Sequence, residues 1–151
     1  MLLSNLPAVK SKVFLVDDDE DDRFLFLDAI HEVKDSIEFE EFVDGESLMA
    51  TLAAGACAPD AIFLDLNLPK HSGIECLDFL RVQLGDKMTK VFIISTSSSM
   101  TMIESTRQKG ANHYIRKSEN FAHLKSLINI ALTQLQSAHV VPYYLNELVE
   151  G

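Results

Sequence analysis

The sequence predicts an α/β fold, five strands alternating with five helices in a doubly wound parallel sheet, and three observations predict it. Short apolar runs, Val13-Phe-Leu-Val16, Ala61-Ile-Phe-Leu64 and Val91-Phe-Ile-Ile94, have the length and uniform hydrophobicity of strands buried on both faces. Segments with apolar residues at helical spacing separate these runs. Each run also stops abruptly at polar residues, Asp17-Asp18, Asp65 and Ser95-Thr96, as parallel strands do when all of them finish at one sheet edge.

Taken in order, the first run gives way to six consecutive carboxylates, Asp17-Asp-Asp-Glu-Asp-Asp22. Such a run cannot be buried. Asp19 and Asp22 form an imperfect capping box, and acids suit the positive end of a helix dipole, so the first helix starts here with Phe24, Leu27 and Ile30 as its apolar face. Ser36 to Val43, with Phe39 and Phe42 among acids, reads as a less buried strand; Asp44-Gly45 turns it into a short helix through Leu48, Met49 and Leu52. Gly55 to Pro59 is a loop. The strand ending in Asp65 follows, and Pro69-Lys-His-Ser-Gly73 stops it. Ser72-Gly-Ile-Glu75 is a capping box, opening a helix with Ile74, Leu77, Leu80 and Leu84 on one face. After the strand that ends in Ser95-Thr96 comes a serine-rich loop, and Thr101-Met-Ile-Glu104 is a further capping box for a helix that Gly110 stops. His113-Tyr-Ile-Arg116 is a short strand ending at Lys117. The last helix carries Phe121, Leu124, Ile128, Ala131 and Leu135.

The 151 residues, 47% of them hydrophobic, suffice for one globular domain with a full core. Thirteen basic against 23 acidic residues give a net charge of −10, which repels phosphate backbones and points to protein partners rather than nucleic acid. Cys57 and Cys76 form neither a disulfide framework nor a zinc site and read as reduced thiols. Met1-Leu-Leu-Ser-Asn-Leu-Pro7 lacks a basic region followed by a long apolar core, and no run approaches the length of a membrane span. The expectation is a soluble, cytoplasmic protein with no membrane contact.

A lone carboxylate such as Asp65 at the end of a buried strand needs either a polar pocket or a cation. The predicted topology supplies both, because Asp17, Asp18, Asp65, Ser95 and Lys117 all fall at the ligand-binding edge of the sheet. Carboxylates from neighbouring strands make a hard oxygen pocket of the kind Mg²⁺ accepts. Asp65 is then a nucleophile for a phosphoryl group, Ser95 a hydroxyl donor to a phosphoryl oxygen, and Lys117 an ammonium that pairs with carboxylate or phosphate.

The motifs Val16-Asp17-Asp18, Leu64-Asp65-Leu-Asn67-Leu-Pro69 with Gly73, Ile94-Ser95-Thr96 and Tyr114-Ile-Arg-Lys117 carry a specific resemblance. From about Lys12 to Gln136 the chain resembles a response-regulator receiver domain of two-component signalling, leaving residues 1–11 as a tail, 12–137 as the domain and 138–151 as a C-terminal extension. The resemblance implies a flavodoxin-like (βα)5 fold with a five-stranded parallel sheet in the order 2-1-3-4-5. It implies that Asp65 takes a phosphoryl group from a histidine kinase or phosphotransfer protein. It also implies that Asp17 and Asp18 hold Mg²⁺, with Asp18 and Asp65 as direct ligands and the Asn67 main-chain carbonyl as a further one, and that Lys117 and Ser95 contact the phosphate. The resemblance implies that Tyr114 is an aromatic switch turning from exposed to buried on activation, and the expected partner or homodimer face is the fourth helix, fifth strand and fifth helix.

No DNA-binding or enzymatic output domain follows, so the chain is similar to single-domain regulators whose only chemistry is their own phosphorylation and dephosphorylation. The family has proline after the lysine, with a cis peptide; here Ser118 stands there, and a non-proline cis bond costs about 3–4 kcal/mol, so a trans Lys117–Ser118 bond is expected. Two alternatives compete. An aspartate-nucleophile phosphatase needs an acid two residues after Asp65, where Asn67 cannot deliver a proton. A phosphorylation-independent adaptor would have lost a pocket aspartate, serine or lysine, and none is lost. In the extension, Val140, Val141, Tyr143, Tyr144 and Leu145 are too apolar for full solvation, so this segment either packs on its own domain or meets a partner.

Overall fold

The computed structural model of the chain describes residues 11–33, 37–55, 57–69, 72–85, 89–135 and 141–146. Strands and helices alternate as β1 (Ser11–Val16), α1 (Glu20–Val33), β2 (Ile37–Phe42), α2 (Gly45–Ala53), β3 (Ala61–Asp65), α3 (Gly73–Leu84), β4 (Lys90–Ser95), α4 (Met100–Gln108), β5 (His113–Arg116) and α5 (Phe121–Thr133). A short β6 (Tyr144–Leu145) follows. All neighbouring pairs are parallel, in the order β2-β1-β3-β4-β5-β6.

The alternation of side chains along the strands divides the core in two. Phe14, Val16, Ile62, Leu64, Val91, Ile93 and Tyr114 face α2, α3 and α4, where Leu48, Leu52, Leu77, Leu80 and Ile103 meet them. Val13, Leu15, Phe63, Phe92, Ile94 and Ile115 face α1 and α5, against Phe26, Ile30, Leu127, Ile128 and Ala131. Rows of rings cross this second face, with Phe26 edge-on to Phe63 at 4.7 Å and Phe63 stacked on Phe92 at 4.8 Å.

Four expectations are corrected. The sheet has six strands rather than five, because Tyr144 and Leu145 pair with Tyr114 and Ile115 on the outer edge of β5. The described part of the extension, residues 141–146, thus packs on its own domain. The apolar face of α1 is Phe26, Ala29 and Ile30, while Phe24 is 69% exposed; the helix begins at Glu20, which turns Phe24 to solvent. The N-cap of α4 is Ser99, whose hydroxyl accepts from the Met102 amide, so Thr101 lies inside the first turn. The less buried strand ends at Phe42, with Val43 exposed beyond it and Ser36 outside the described residues. Other caps fall as expected: Asp19 accepts from the Asp22 amide, Ser72 from that of Glu75, and α4 ends before Gly110, whose φ of 94° suits only glycine.

Candidate functional site at the carboxyl edge of the sheet

Four strand ends, those of β1, β3, β4 and β5, bring the polar residues together. Asp17 follows β1 directly and is 1% exposed, its amide tied to the Phe42 carbonyl at 3.1 Å. Asp65 closes β3 and is 3% exposed. Asp18, next to Asp17, is exposed. Each of these three aspartates offers an oxygen, and the three oxygens lie within 4.8 Å of one another, close enough to share one small cation. The β3–α3 connection is held close by glycine. A Cβ on Gly73 would lie 2.5 Å from both the Asp65 carbonyl oxygen and the Leu66 Cα, so only glycine lets the start of α3 approach the backbone that carries Asp65.

Lys117 follows β5, and its amide donates to the Ser95 carbonyl at 2.8 Å, which registers the two strand ends against each other. Its ammonium donates to Asp65 Oδ2 at 2.9 Å, Asp17 Oδ2 at 2.9 Å and Asp22 Oδ2 at 3.0 Å. Among the described residues every peptide bond is trans, that from Lys117 to Ser118 included, and the lysine reaches Asp65 with it. Asp65 Oδ1 accepts from the Asn67 amide at 2.9 Å, so both oxygens of the carboxylate are oriented by the chain.

Charge balance follows from these contacts. Burial pushes the Asp17 carboxyl up to about 6, against the Asp19 amide and Lys117, which favour its ionised form. Burial alone would lower the Lys117 ammonium; the Asp65 and Asp17 carboxylates outweigh it and raise it instead. The lysine is therefore a fixed cation, and the carboxylates compete for it.

Ser95 is 1% exposed, and its hydroxyl oxygen accepts from the Ser97 amide at 3.1 Å. Tyr114 is fully buried, with its hydroxyl donating to the Ser97 carbonyl at 2.8 Å and its ring edge-on to Tyr144 at 5.7 Å. The buried position expected of a switched Tyr114 is thus already occupied here. The structure brings Asp17, Asp18, Asp65 and Lys117 to one point, places Ser95 at the adjoining strand end, and sets Tyr114 on the face of the sheet that α4 covers. The sequence reading missed Asp22 as a partner of Lys117. Its position one helical turn after Asp18 was the available signal, hidden because every residue of that run is acidic. Cys76 is buried, which pushes its thiol up to about 12, and Cys57 is exposed; both are free. No helix among the described residues is long and apolar enough to cross a membrane.

Comparison with known proteins agrees with this geometry. The chain is 26% identical over 132 residues to a probable chemotaxis protein CheY of Rhizobium etli, covering 85% of this chain and 98% of the relative. The crystal structure of the phosphorylated cyanobacterial phytochrome response regulator RcpA superposes with a TM-score of 0.77 at 31% identity, over 89% of this chain and 99% of that one. The Mn²⁺-bound form of response regulator Rcp1 shares the fold, with a TM-score of 0.74 at 24% identity over 87% and 99% of the two chains. With residues 13–129 matching the family throughout, and with the buried aspartate, its acidic neighbours and the lysine all on that stretch, the chain belongs to the response regulator receiver domains.

Proposed function

We propose that the chain is a phosphorylation-controlled interaction module in which Asp65 accepts a phosphoryl group from a histidine kinase or phosphotransfer protein, and the modified chain changes its affinity for another protein. One observation carries this reading: a buried strand-end carboxylate with two further carboxylates in cation-sharing range and an ammonium at 2.9 Å. The donor set is all oxygen, which fits Mg²⁺, and Asp17, Asp18, Asp65 and the Asn67 main-chain carbonyl are the groups we assign to it. Bound there, Mg²⁺ supplies the positive charge that lets a carboxylate meet an anionic phosphoryl group.

The chain's own residues do the rest. The Asn67 amide and the Lys117 ammonium fix the Asp65 carboxylate, one of whose oxygens attacks phosphorus. A P–O bond forms as the P–N bond of the donor phosphohistidine breaks, and the released imidazole takes its proton from solvent. Lys117 then donates to a phosphoryl oxygen, and the Ser95 hydroxyl turns from the Ser97 amide to do the same. Phosphorylation and hydrolysis at Asp65 are the whole of the chemistry we assign. We assign the protein to the cytoplasm, its domain to residues 12–137 with 138–151 as an extension, and its downstream protein partner or second copy to the face of α4, β5 and α5, beside the β5 edge that β6 covers.

Incubation with Mg²⁺ and acetyl phosphate tests the reading. The expected product carries one acid-stable, base-labile phosphoryl group, which Asp65→Asn abolishes and Asp18→Ala suppresses. Labelling that survives Asp65→Asn moves the acceptor elsewhere, and labelling undiminished after metal removal ends the Mg²⁺ assignment.

A further inference from the structure

Three carboxylates hold the Lys117 ammonium, and since an ammonium has three N–H donors, the contacts to Asp17, Asp65 and Asp22 use all of them. The acceptors differ in their surroundings. The Asp17 and Asp65 side chains are 2% and 5% exposed, while that of Asp22 is 42% exposed. Asp22 is held in the first turn of α1, its amide donating to Asp19 Oδ1 at 3.0 Å. Asp22, Asp17, Lys117, Leu25 and Leu124 are among the residues lining a cavity of about 40 Å³, which leaves space beside Lys117.

We propose that Asp22 is a positioning residue that draws the Lys117 ammonium toward the solvent rim in the resting site, and that an incoming phosphoryl group competes with it for that ammonium. The inference rests on Asp65 as phosphoacceptor. A phosphoryl group there brings oxygens that need donors, and Lys117 is the cation already in contact with Asp65. Of its other two partners, Asp17 is buried, so water cannot take the lysine's place there. Asp22 is the partner that water can replace. While bound it pulls the ammonium outward, and its charge adds to the repulsion that a phosphoryl dianion meets.

The same charge has the opposite effect on a cation. It makes the edge more attractive to Mg²⁺, so neutralising Asp22 is expected to weaken Mg²⁺ binding while strengthening the binding of a phosphoryl mimic. Loss of structure would weaken both.

The test is made on the full chain with beryllofluoride, a tetrahedral phosphoryl mimic, titrated calorimetrically at saturating Mg²⁺. Asp22→Asn is expected to bind it about three- to fivefold more tightly than wild type, the range of one partly exposed ion pair. Asp22→Glu is expected to restore the wild-type affinity. In a Lys117→Met background the gain from Asp22→Asn is expected to vanish, because Asp22 acts through the lysine. An equal gain in both backgrounds would reduce the effect to bare charge repulsion and overturn the positioning role, as would unchanged beryllofluoride affinity in an Asp22→Asn variant with a normal urea midpoint. Acetyl phosphate labelling run alongside separates the two readings. A wild type labelled on Asp65 with Asp22→Asn indistinguishable from it overturns the role of Asp22 alone; a wild type that takes no label overturns the phosphoacceptor reading and the Asp22 role with it.

Discussion

A buried carboxylate is a cost that a residue keeps only for what it binds, and Asp17 shows the cost directly. Burial raises its carboxyl from 3.8 to about 6 although Lys117 lies 2.9 Å away. The folded protein therefore holds this proton more tightly than the unfolded chain does, so the contribution of Asp17 to stability is complete below about pH 4 and is lost as pH rises through about 6. Lys117 has its pKa raised as well, and its contribution persists until alkaline pH. In the absence of divalent metal, Asp17→Asn removes the charge but keeps a polar group of the same shape, with Asp65 and Asp22 still pairing the lysine. At pH 7 this variant should be more stable than wild type by about 1–3 kcal/mol in urea denaturation, and the difference should shrink toward pH 4. A variant less stable at pH 7 would mean that the contact to Lys117 outweighs the desolvation of Asp17.

At the scale of elements, β6 is the part of the sheet with the least sequence behind it and the most specific consequence. Its two residues pair with β5, the Tyr114 amide donates to the Tyr143 carbonyl at 2.9 Å, and the Tyr143 hydroxyl meets the Thr106 hydroxyl at 2.7 Å, so the segment ties β5 to α4. Leu145 is 2% exposed. Ending the chain before Val141 uncovers the β5 edge and the Tyr114 ring, and loss of a buried leucine and part of two tyrosine rings should cost about 2–4 kcal/mol. Faster amide exchange at Tyr114, and self-association through the open edge, should accompany it. An unchanged urea midpoint would show that the segment is dispensable to the fold. The first five strands were legible because apolar runs ending in Asp17, Asp65 and Ser95, and the alternation with amphipathic helices, admit few other arrangements. A two-residue strand has no periodicity to read. The face of α1 was misjudged because Phe24, Leu25, Phe26 and Leu27 are consecutive apolar residues, so spacing alone could not choose which of them turns inward. The cap of α4 was misplaced because the loop offers serines at 97, 98 and 99 and a threonine at 101, all competent to cap. At the site, the meeting of Asp17, Asp18, Asp65 and Lys117 was legible because strand ends fix their location, while the contact of Asp22 with Lys117 depends on how α1 is seated.

For the molecule as a whole, the question is how an event on Asp65 reaches the surface, and Ser97 stands between the two. Its amide donates to the Ser95 hydroxyl oxygen, and its carbonyl accepts from the Tyr114 hydroxyl. If the Ser95 side chain rotates about χ1 to carry its hydroxyl to a phosphoryl oxygen, its oxygen leaves the Ser97 amide without that acceptor and the loop before α4 is free to move, taking the Tyr114 contact with it. Tyr114 is already buried, so the ring has no further burial to gain. What changes is which groups hold it, and its other neighbours, Tyr144 on β6 and the Tyr143 carbonyl, belong to the C-terminal segment. A ligand shifts such an equilibrium only by its differential affinity for the two arrangements, and one exchanged hydrogen bond is worth about 0.5–1.5 kcal/mol, enough for a roughly two- to tenfold change in population. Amide exchange with Mg²⁺ and beryllofluoride, compared with the free chain, should therefore change at residues 96–100, at Tyr114 and at residues 143–145 together. The Ser95→Ala variant, which lacks the hydroxyl, should bind the mimic while the changes at Tyr114 and residues 143–145 are lost. Changes confined to α3, with the loop before α4 and β6 silent in wild type, would show that the signal leaves Asp65 by another route.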